Sequence, residues 1–254
     1  MSDAMNGKKL LVIGGRSGIG RQIAADALDA GAHVVLAGRD REAVDGAVAR
    51  IADDYATSSA HDPAGPSAPV VGATVDLTDE DSIRVLAEQI GSLDYLVSVA
   101  AAHANGPVTQ LDRSAVDRAF DAKVIGPILL AKHFAPRIRG GGAILLFSGV
   151  AAWRPAPGRA VMAATNGAVS FLAEALAVEL APIRVNALSP GIVDSGAWDA
   201  LGADKQQFLT DIAAANPARR IGHPSDISAA ALLALANPFL TGTTLHIDGG
   251  GRLA

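Results

Sequence analysis

The apolar run Leu10-Leu11-Val12-Ile13 enters a glycine turn, Gly14-Gly15-Arg16-Ser17-Gly18-Ile19-Gly20, and leads straight into a helical pattern. Glycines at such a strand-to-helix turn let the backbone approach a pyrophosphate. The helix N-terminus that follows supplies NH groups and the positive end of a dipole. A glycine trio alone defines only a tight turn. Here a strand precedes it, a helix follows it, and both stand at the head of an alternating chain, which is the context of a dinucleotide site.

The alternation runs to the C-terminus. Strands are predicted at 9–13, 33–37, 70–75, 95–99, 143–147, 184–188 and 244–247, and helices at 19–30, 40–52, 79–90, 113–136, 160–180 and 225–235. The strands are continuously apolar, as a parallel sheet covered on both faces requires. The expected architecture is therefore a single α/β domain over 1–254: a Rossmann fold, doubly wound, with seven parallel strands and helices on both faces. Between 53 and 69 the rhythm stops. Ser, Ala, Asp and Gly take over with Pro63, Pro66 and Pro69, which forbid a regular helix or central strand. A flexible surface excursion is expected there, with partner binding as the alternative.

Half the residues are apolar but only 4% are aromatic, so Ala, Val, Leu and Ile must build the core. The formal net charge is −5 with acids and bases mixed along the chain, and no basic block points to nucleic acid or an anionic membrane. Without cysteine, disulfides and thiolate-held metals are excluded, which fits the cytoplasm. The longest apolar stretch, 160–181, is interrupted by Glu174 and Glu179 and reads as a buried helix of a soluble protein.

The second strand decides between nucleotides. An NAD site needs a carboxylate at its tip to accept from the ribose 2′-OH. This strand ends Leu36-Ala37-Gly38-Arg39, and Asp40 just beyond reads as a helix N-cap. Arg39 and Arg16 are placed to meet a 2′-phosphate, so NADP(H) is the expected cofactor.

At this point the chain resembles the short-chain dehydrogenase/reductase family over essentially its whole length. Gly14 to Gly20 matches the family's TGxxxGxG with Ile13 in place of Thr. Asp76-Leu77 matches the pair that touches adenine, and Ala100 lies in Ser98-Val99-Ala100-Ala101, which stands where the family has NNAG. The run from Arg184 to Gly191 is very similar to RVNAVSPG, and the tail from Gly242 to Gly250 is similar to TGxxLxVDGG. The resemblance implies nucleotide contacts from Gly14, Arg16, Ser17, Gly18, Ile19, Gly20, Arg39, Asp76, Leu77, Ala100, Pro190, Gly191, Ile192, Val193 and Ser195. It also implies a homo-oligomer, tetramer or dimer, to which the small-residue-rich helix at 160–180 adds a second apolar face.

The departures bear on the chemistry. The family carries an Asn–Ser–Tyr–Lys tetrad, and the stretch from Gly142 to Val169 aligns with its pattern without a gap. Gly149 falls at the Ser position, Met162 at the Tyr position and Asn166 at the Lys position, while Lys123 falls where the Asn belongs. A thioether gives no proton, so Met162 is no acid. The only tyrosines, Tyr55 and Tyr95, lie in the excursion region and at the start of a strand. Lys and Asn have exchanged places between two helices. The exchange predicts that Lys123 enters the same cavity from across it; the alternative is an ion-paired or snorkelling lysine and an Asn166 that bonds backbone. Ser148, one residue before the family's Ser, is a further catalytic candidate or a turn former. His103 reads as a titratable group or an exposed loop residue, and Arg154 as a contact for an anionic substrate or a surface residue.

The segment 196–223 corresponds to the family's substrate lid, and its Trp198, Leu201, Phe208 and Leu209 suggest a substrate with an apolar portion. Three functions stay open: an NADP(H)-dependent oxidoreductase on a carbonyl or alcohol, a non-redox isomerase or cyclase using the nucleotide-filled pocket, and an inactive NADP(H)-binding regulator.

Overall fold

The computed structural model describes residues 2–57 and 70–254. A short turn α1 (Ser2–Met5) precedes β1 (Lys9–Ile13). Then come α2 (Gly18–Asp29), β2 (His33–Gly38), α3 (Arg41–Thr57), β3 (Val70–Thr74), α4 (Glu80–Ile90) and β4 (Leu93–Ser98). The second half holds α5 (Arg113–Phe120), α6 (Gly126–Phe134), β5 (Ile138–Phe147), α7 (Ala160–Glu179), β6 (Arg184–Pro190), α8 (Lys205–Ala215), α9 (Pro224–Ala236) and β7 (Thr244–Ile247).

The seven strands form one parallel sheet in the order β3-β2-β1-β4-β5-β6-β7. Alternate residues of each strand point to opposite faces, so two cores form. Leu10 and Val12 pack with Ile23 and Leu28 of α2, Ile51 of α3 and Ile227 of α9. Leu11 and Ile13 pack with Ile83 of α4, Leu130 and Phe134 of α6 and Val169 of α7. The chain winds outward from β1 through β2 to β3, then returns to place β4 on the other flank of β1. That reversal opens a crevice at the carboxyl ends of β1 and β4.

The structure differs from the sequence expectation in four places. Helix α3 continues to Thr57, five residues into the expected excursion, because the first proline comes only at Pro63. The rest of that excursion lies outside the described residues. β5 starts at Ile138, ahead of 143, by running through Gly140 to Gly142. Helix α8 forms inside the expected lid. The helix expected over 113–136 is interrupted by a π-helical turn, Asp121–Ile125, in which the Gly126 NH bonds the Asp121 carbonyl. Only glycine fits there: a Cβ at 126 would stand 2.8 Å from that carbonyl and 2.9 Å from the Leu77 Cβ.

Helix α7 is long and apolar enough to cross a membrane by length and composition. Within the fold one of its faces is packed, burying Val161, Thr165, Asn166, Val169, Ser170, Ala173 and Leu176. Phe171 and Val178 on its other side are exposed.

Candidate functional site

Three loops meet where β1, β4 and β6 end. Gly14, at φ 89°, lies so close to the next strand that a Cβ would stand 2.8 Å from the Ala100 nitrogen. Gly18, at φ 56°, lies equally close to the loop after β6, with a Cβ position 2.6 Å from the Ser195 carbonyl oxygen. Positive φ and close backbone approach both demand glycine. Pro190 ends β6, Gly191 packs on Asp248, Ile192 accepts from the Gly222 NH, and Val193 is buried beside Gly222. At the end of β3, the Asp76 carboxylate accepts from Thr78, and Leu77 is buried against Gly126.

The glycine turn is electropositive. Ser17 stands at the N-cap of α2 in extended conformation but its side chain makes no capping bond, and the first turn, which holds Gly18, Ile19 and Gly20, contains no acid. The turn's NH groups therefore stay open for an anion. Between this turn and α3 lies an open depression of about 550 Å³, whose lining includes Arg16, Ser17, Asp40, Glu42, Gly46 and Arg50. Asp40 caps α3 by accepting from the Ala43 NH at 3.1 Å. Among the described residues Arg16, Arg39 and Arg50 form no ion pair, whereas nearby Arg41 holds Asp45 at 2.7 Å.

On the other flank of the crevice, the π-helical turn places Lys123 inward. Its side chain is buried, and its ammonium donates to the carbonyls of Phe147 at 2.6 Å and Ser148 at 3.1 Å, where β5 ends. No carboxylate pairs with it among the described residues. Burial disfavours the charge and pushes the amine down to about 8. Asn166 lies on the facing helix. A Cβ on Gly149 would come within 2.8 Å of the Asn166 Nδ2, so this asparagine occupies the space over that glycine. The Asn166 Oδ1 is buried without a hydrogen-bond partner among the described residues. Lys123 and Asn166 thus share a neighbourhood but no hydrogen bond.

The Ser148 hydroxyl turns toward α7. It donates to the Asn166 carbonyl at 2.8 Å and receives a bond from Ser170 at 3.2 Å; the Ser148 backbone carbonyl, not the hydroxyl, meets Lys123. Met162 stands half-buried on the first turn of α7. Neither tyrosine is near this cluster by position in the fold: Tyr55 is on α3, and Tyr95 is buried in the core with its hydroxyl reaching the Ala4 carbonyl at 3.4 Å. Arg154 bonds the Gly251 carbonyl at 3.3 Å.

The enoyl-(acyl carrier protein) reductase family matches residues 13–251. The chain is 31% identical to human dehydrogenase/reductase SDR family member 4, over 98% of this chain and 88% of that one. This chain belongs to the short-chain dehydrogenase/reductase family. Among solved structures, the MalC reductase/Diels-Alderase of Malbranchea aurantiaca is similar with a TM-score of 0.91 and 28% identity, covering 100% of this chain and 99% of that one. A small-chain dehydrogenase in complex with NADPH is similar with a TM-score of 0.77 and 30% identity, covering 98% and 100%.

Two features of this short-chain dehydrogenase/reductase escaped the sequence reading. Arg50 joins the depression from the third turn of α3, and Gly46 four residues earlier marks it: a Cβ there would lie 3.6 Å from the Arg50 Nη1. A glycine inside a helix, four residues before an arginine, was the available signal. The second is the anchoring of the segment 196–223. The Trp198 and Phe208 rings lie 4.9 Å apart, the Trp198 Nε1 donates to the Val193 carbonyl at 3.0 Å, and Lys205 bridges Asp194 at 2.9 Å and Asp199 at 2.7 Å.

Proposed function

We propose that this chain is an NADP(H)-dependent oxidoreductase acting on a small carbonyl or alcohol substrate with an apolar portion, through a site in which Lys123 replaces the family's tyrosine–lysine pair. The observation that carries this reading is Lys123 itself: a buried ammonium with no counter-charge, held at the end of β5 by two backbone carbonyls. A lysine buried without a partner is costly. An amine brought down to about 8 exchanges its proton near neutral pH.

The residues fit a dinucleotide. The open NH groups of the glycine turn suit a pyrophosphate, the unpaired Arg16, Arg39 and Arg50 suit a 2′-phosphate, and the orphaned Asn166 Oδ1 suits a ribose hydroxyl donor. Bound NADPH supplies a hydride. Lys123 holds the proton that a reduced carbonyl oxygen needs, and Phe147 and Ser148 fix its ammonium through their carbonyls. The segment 196–223 acts as the lid, with Trp198 and Phe208 excluding water from the substrate. NADPH oxidation by purified protein across a panel of carbonyl compounds tests the reading, with Lys123→Met as control. Turnover that Lys123→Met leaves untouched sinks the lysine's role.

A non-redox cyclase is the second reading. The likeness to an enzyme named both reductase and Diels-Alderase favours it. Product formed without consumption of NADPH distinguishes it.

A further inference from the structure

A second cavity, of about 360 Å³, opens beside the first turn of α7. Its two loops are joined by a hydrogen bond from the Gly106 NH to the Gly158 carbonyl at 2.9 Å. Val108, Pro155, Pro157, Ala160 and Ala163 make the wall largely apolar, and Arg159 is the charged residue in it. Ala160 and Ala163 share the first turn of α7 with Met162, the position that aligns with the family's tyrosine, and Met162 itself is not part of the wall.

Arg159 stands in the wall of this cavity with no counter-charge among the described residues. Arg159 is partly buried, and among the described residues its guanidinium makes neither an ion pair nor a hydrogen bond. The first turn of α7 contains no acid to claim it. His103 lies within electrostatic reach of both Lys123 and Arg159. His103 keeps an exposed edge; desolvation by the atoms around it first, and then those two cations, hold its imidazole toward the neutral form. Like charges brought together repel unless something of opposite sign joins them. Arg154, the sequence candidate for an anion contact, is spent on the Gly251 carbonyl.

We propose that this cavity is the subsite for a carboxylate-bearing substrate: Arg159 takes the carboxylate, with His103 donating when protonated, and Val108 and the two prolines hold the apolar body. The proposal rests on the oxidoreductase reading, since it names the substrate class of that enzyme. Arginine presents a planar fork that matches a carboxylate, and a neutral amide of the same shape gains no charge-assisted bond.

Benzoate and the nearly isosteric neutral benzamide serve as probes, read by the amide NMR signals of Gly106, Gly158 and Ala160 with and without NADP+. Benzoate is expected to shift those signals saturably and to bind about tenfold more tightly than benzamide. Arg159→Gln is expected to bring benzoate down to the affinity of benzamide, and Arg159→Lys to retain part of the preference. Equal affinities in the unaltered chain, no shift with either probe, or a preference that survives Arg159→Gln would overturn the subsite. NADP+ binding is followed in the same samples by tryptophan fluorescence. Failure of the nucleotide to bind strikes the cofactor reading, while the benzoate result judges the subsite on its own.

Discussion

Asn166 stands over Gly149 at the distance where a side chain on residue 149 would begin: a Cβ there would meet the Asn166 Nδ2 at 2.8 Å and its Cγ at 3.3 Å. The φ of Gly149 is 171°, extended backbone open to any residue, so contact and not conformation keeps this position small. Residues 149 and 166, which the sequence alignment places at the family's serine and lysine positions, therefore constrain one another sterically. Gly149→Ala should destabilise the fold by about 1–3 kcal/mol, since buried Asn166 has little room to yield. In an Asn166→Ala background that cost should largely vanish. Urea unfolding of the four proteins of this cycle measures the coupling, and additive costs would show that the two residues do not constrain one another.

On the proposed NADP(H) reading, cofactor choice turns on three arginines. Arg39→Asp restores the acid that an NAD site wants and should weaken NADPH by about tenfold or more, as loss of a charge-assisted contact does. Arg50→Ala should weaken NADPH and leave NADH nearly unchanged, because only the former carries the 2′-phosphate. Fluorescence titration with both nucleotides checks this. Equal affinities for the two in the unaltered chain would remove the case for NADP(H).

Much of the fold was legible because strands such as β1 and β2 carry apolar runs, Leu10–Ile13 and Val34–Ala37, and helices such as α4 bury residues at the helical period, Ile83, Leu86, Ala87 and Ile90. β1 and β7 have the expected bounds, Lys9–Ile13 and Thr244–Ile247. What failed was local and has local causes. The break at Asp121–Ile125 depends on Gly126 lying against Leu77, a contact between residues far apart in the chain. Helix α8 carries too mixed a pattern to separate from the loop around it, and of its residues only Leu209 is buried. The glycine turn could be read by motif, whereas Arg50 is signalled only by the helical Gly46 before it and Arg159 becomes visible only when folding puts it at a cavity. The exchange of Lys123 and Asn166 was visible as letters; the carbonyls of Phe147 and Ser148 as the partners of Lys123 were not.

Assembly is expected through the outer face of α7. Phe171 is 72% exposed and Val178 is 82% exposed on a helix whose other face is packed. Apolar residues of this size on one exposed helix face suit a homo-oligomer, tetramer or dimer. Phe171→Glu with Val178→Glu should lower the assembly state in sedimentation velocity, and a monomeric unaltered chain at micromolar concentration would refute the expectation.

Lys123 should leave a signature in the pH dependence of stability that a surface lysine cannot. Burial pushes its amine down to about 8 in the folded chain, against the ordinary lysine value of 10.5. Between those values the unfolded chain binds more protons, so stability rises with pH across that window. The sign is that of a buried cation: the penalty is fully present below about pH 8 and relieved as the group goes neutral. Over the span from about pH 7.5 to 9.5 the gain is about 2 kcal/mol. Lys123→Met carries no proton to lose, so urea unfolding should show that gain in the unaltered chain and not in the variant. Lys123→Ala should meanwhile raise the NADPH dissociation constant by more than about tenfold while the circular dichroism stays native. A common pH slope in the two proteins would mean that the ammonium is solvated. A normal slope difference with unchanged NADPH affinity would leave Lys123 a buried structural group and return the crevice's chemistry to other residues.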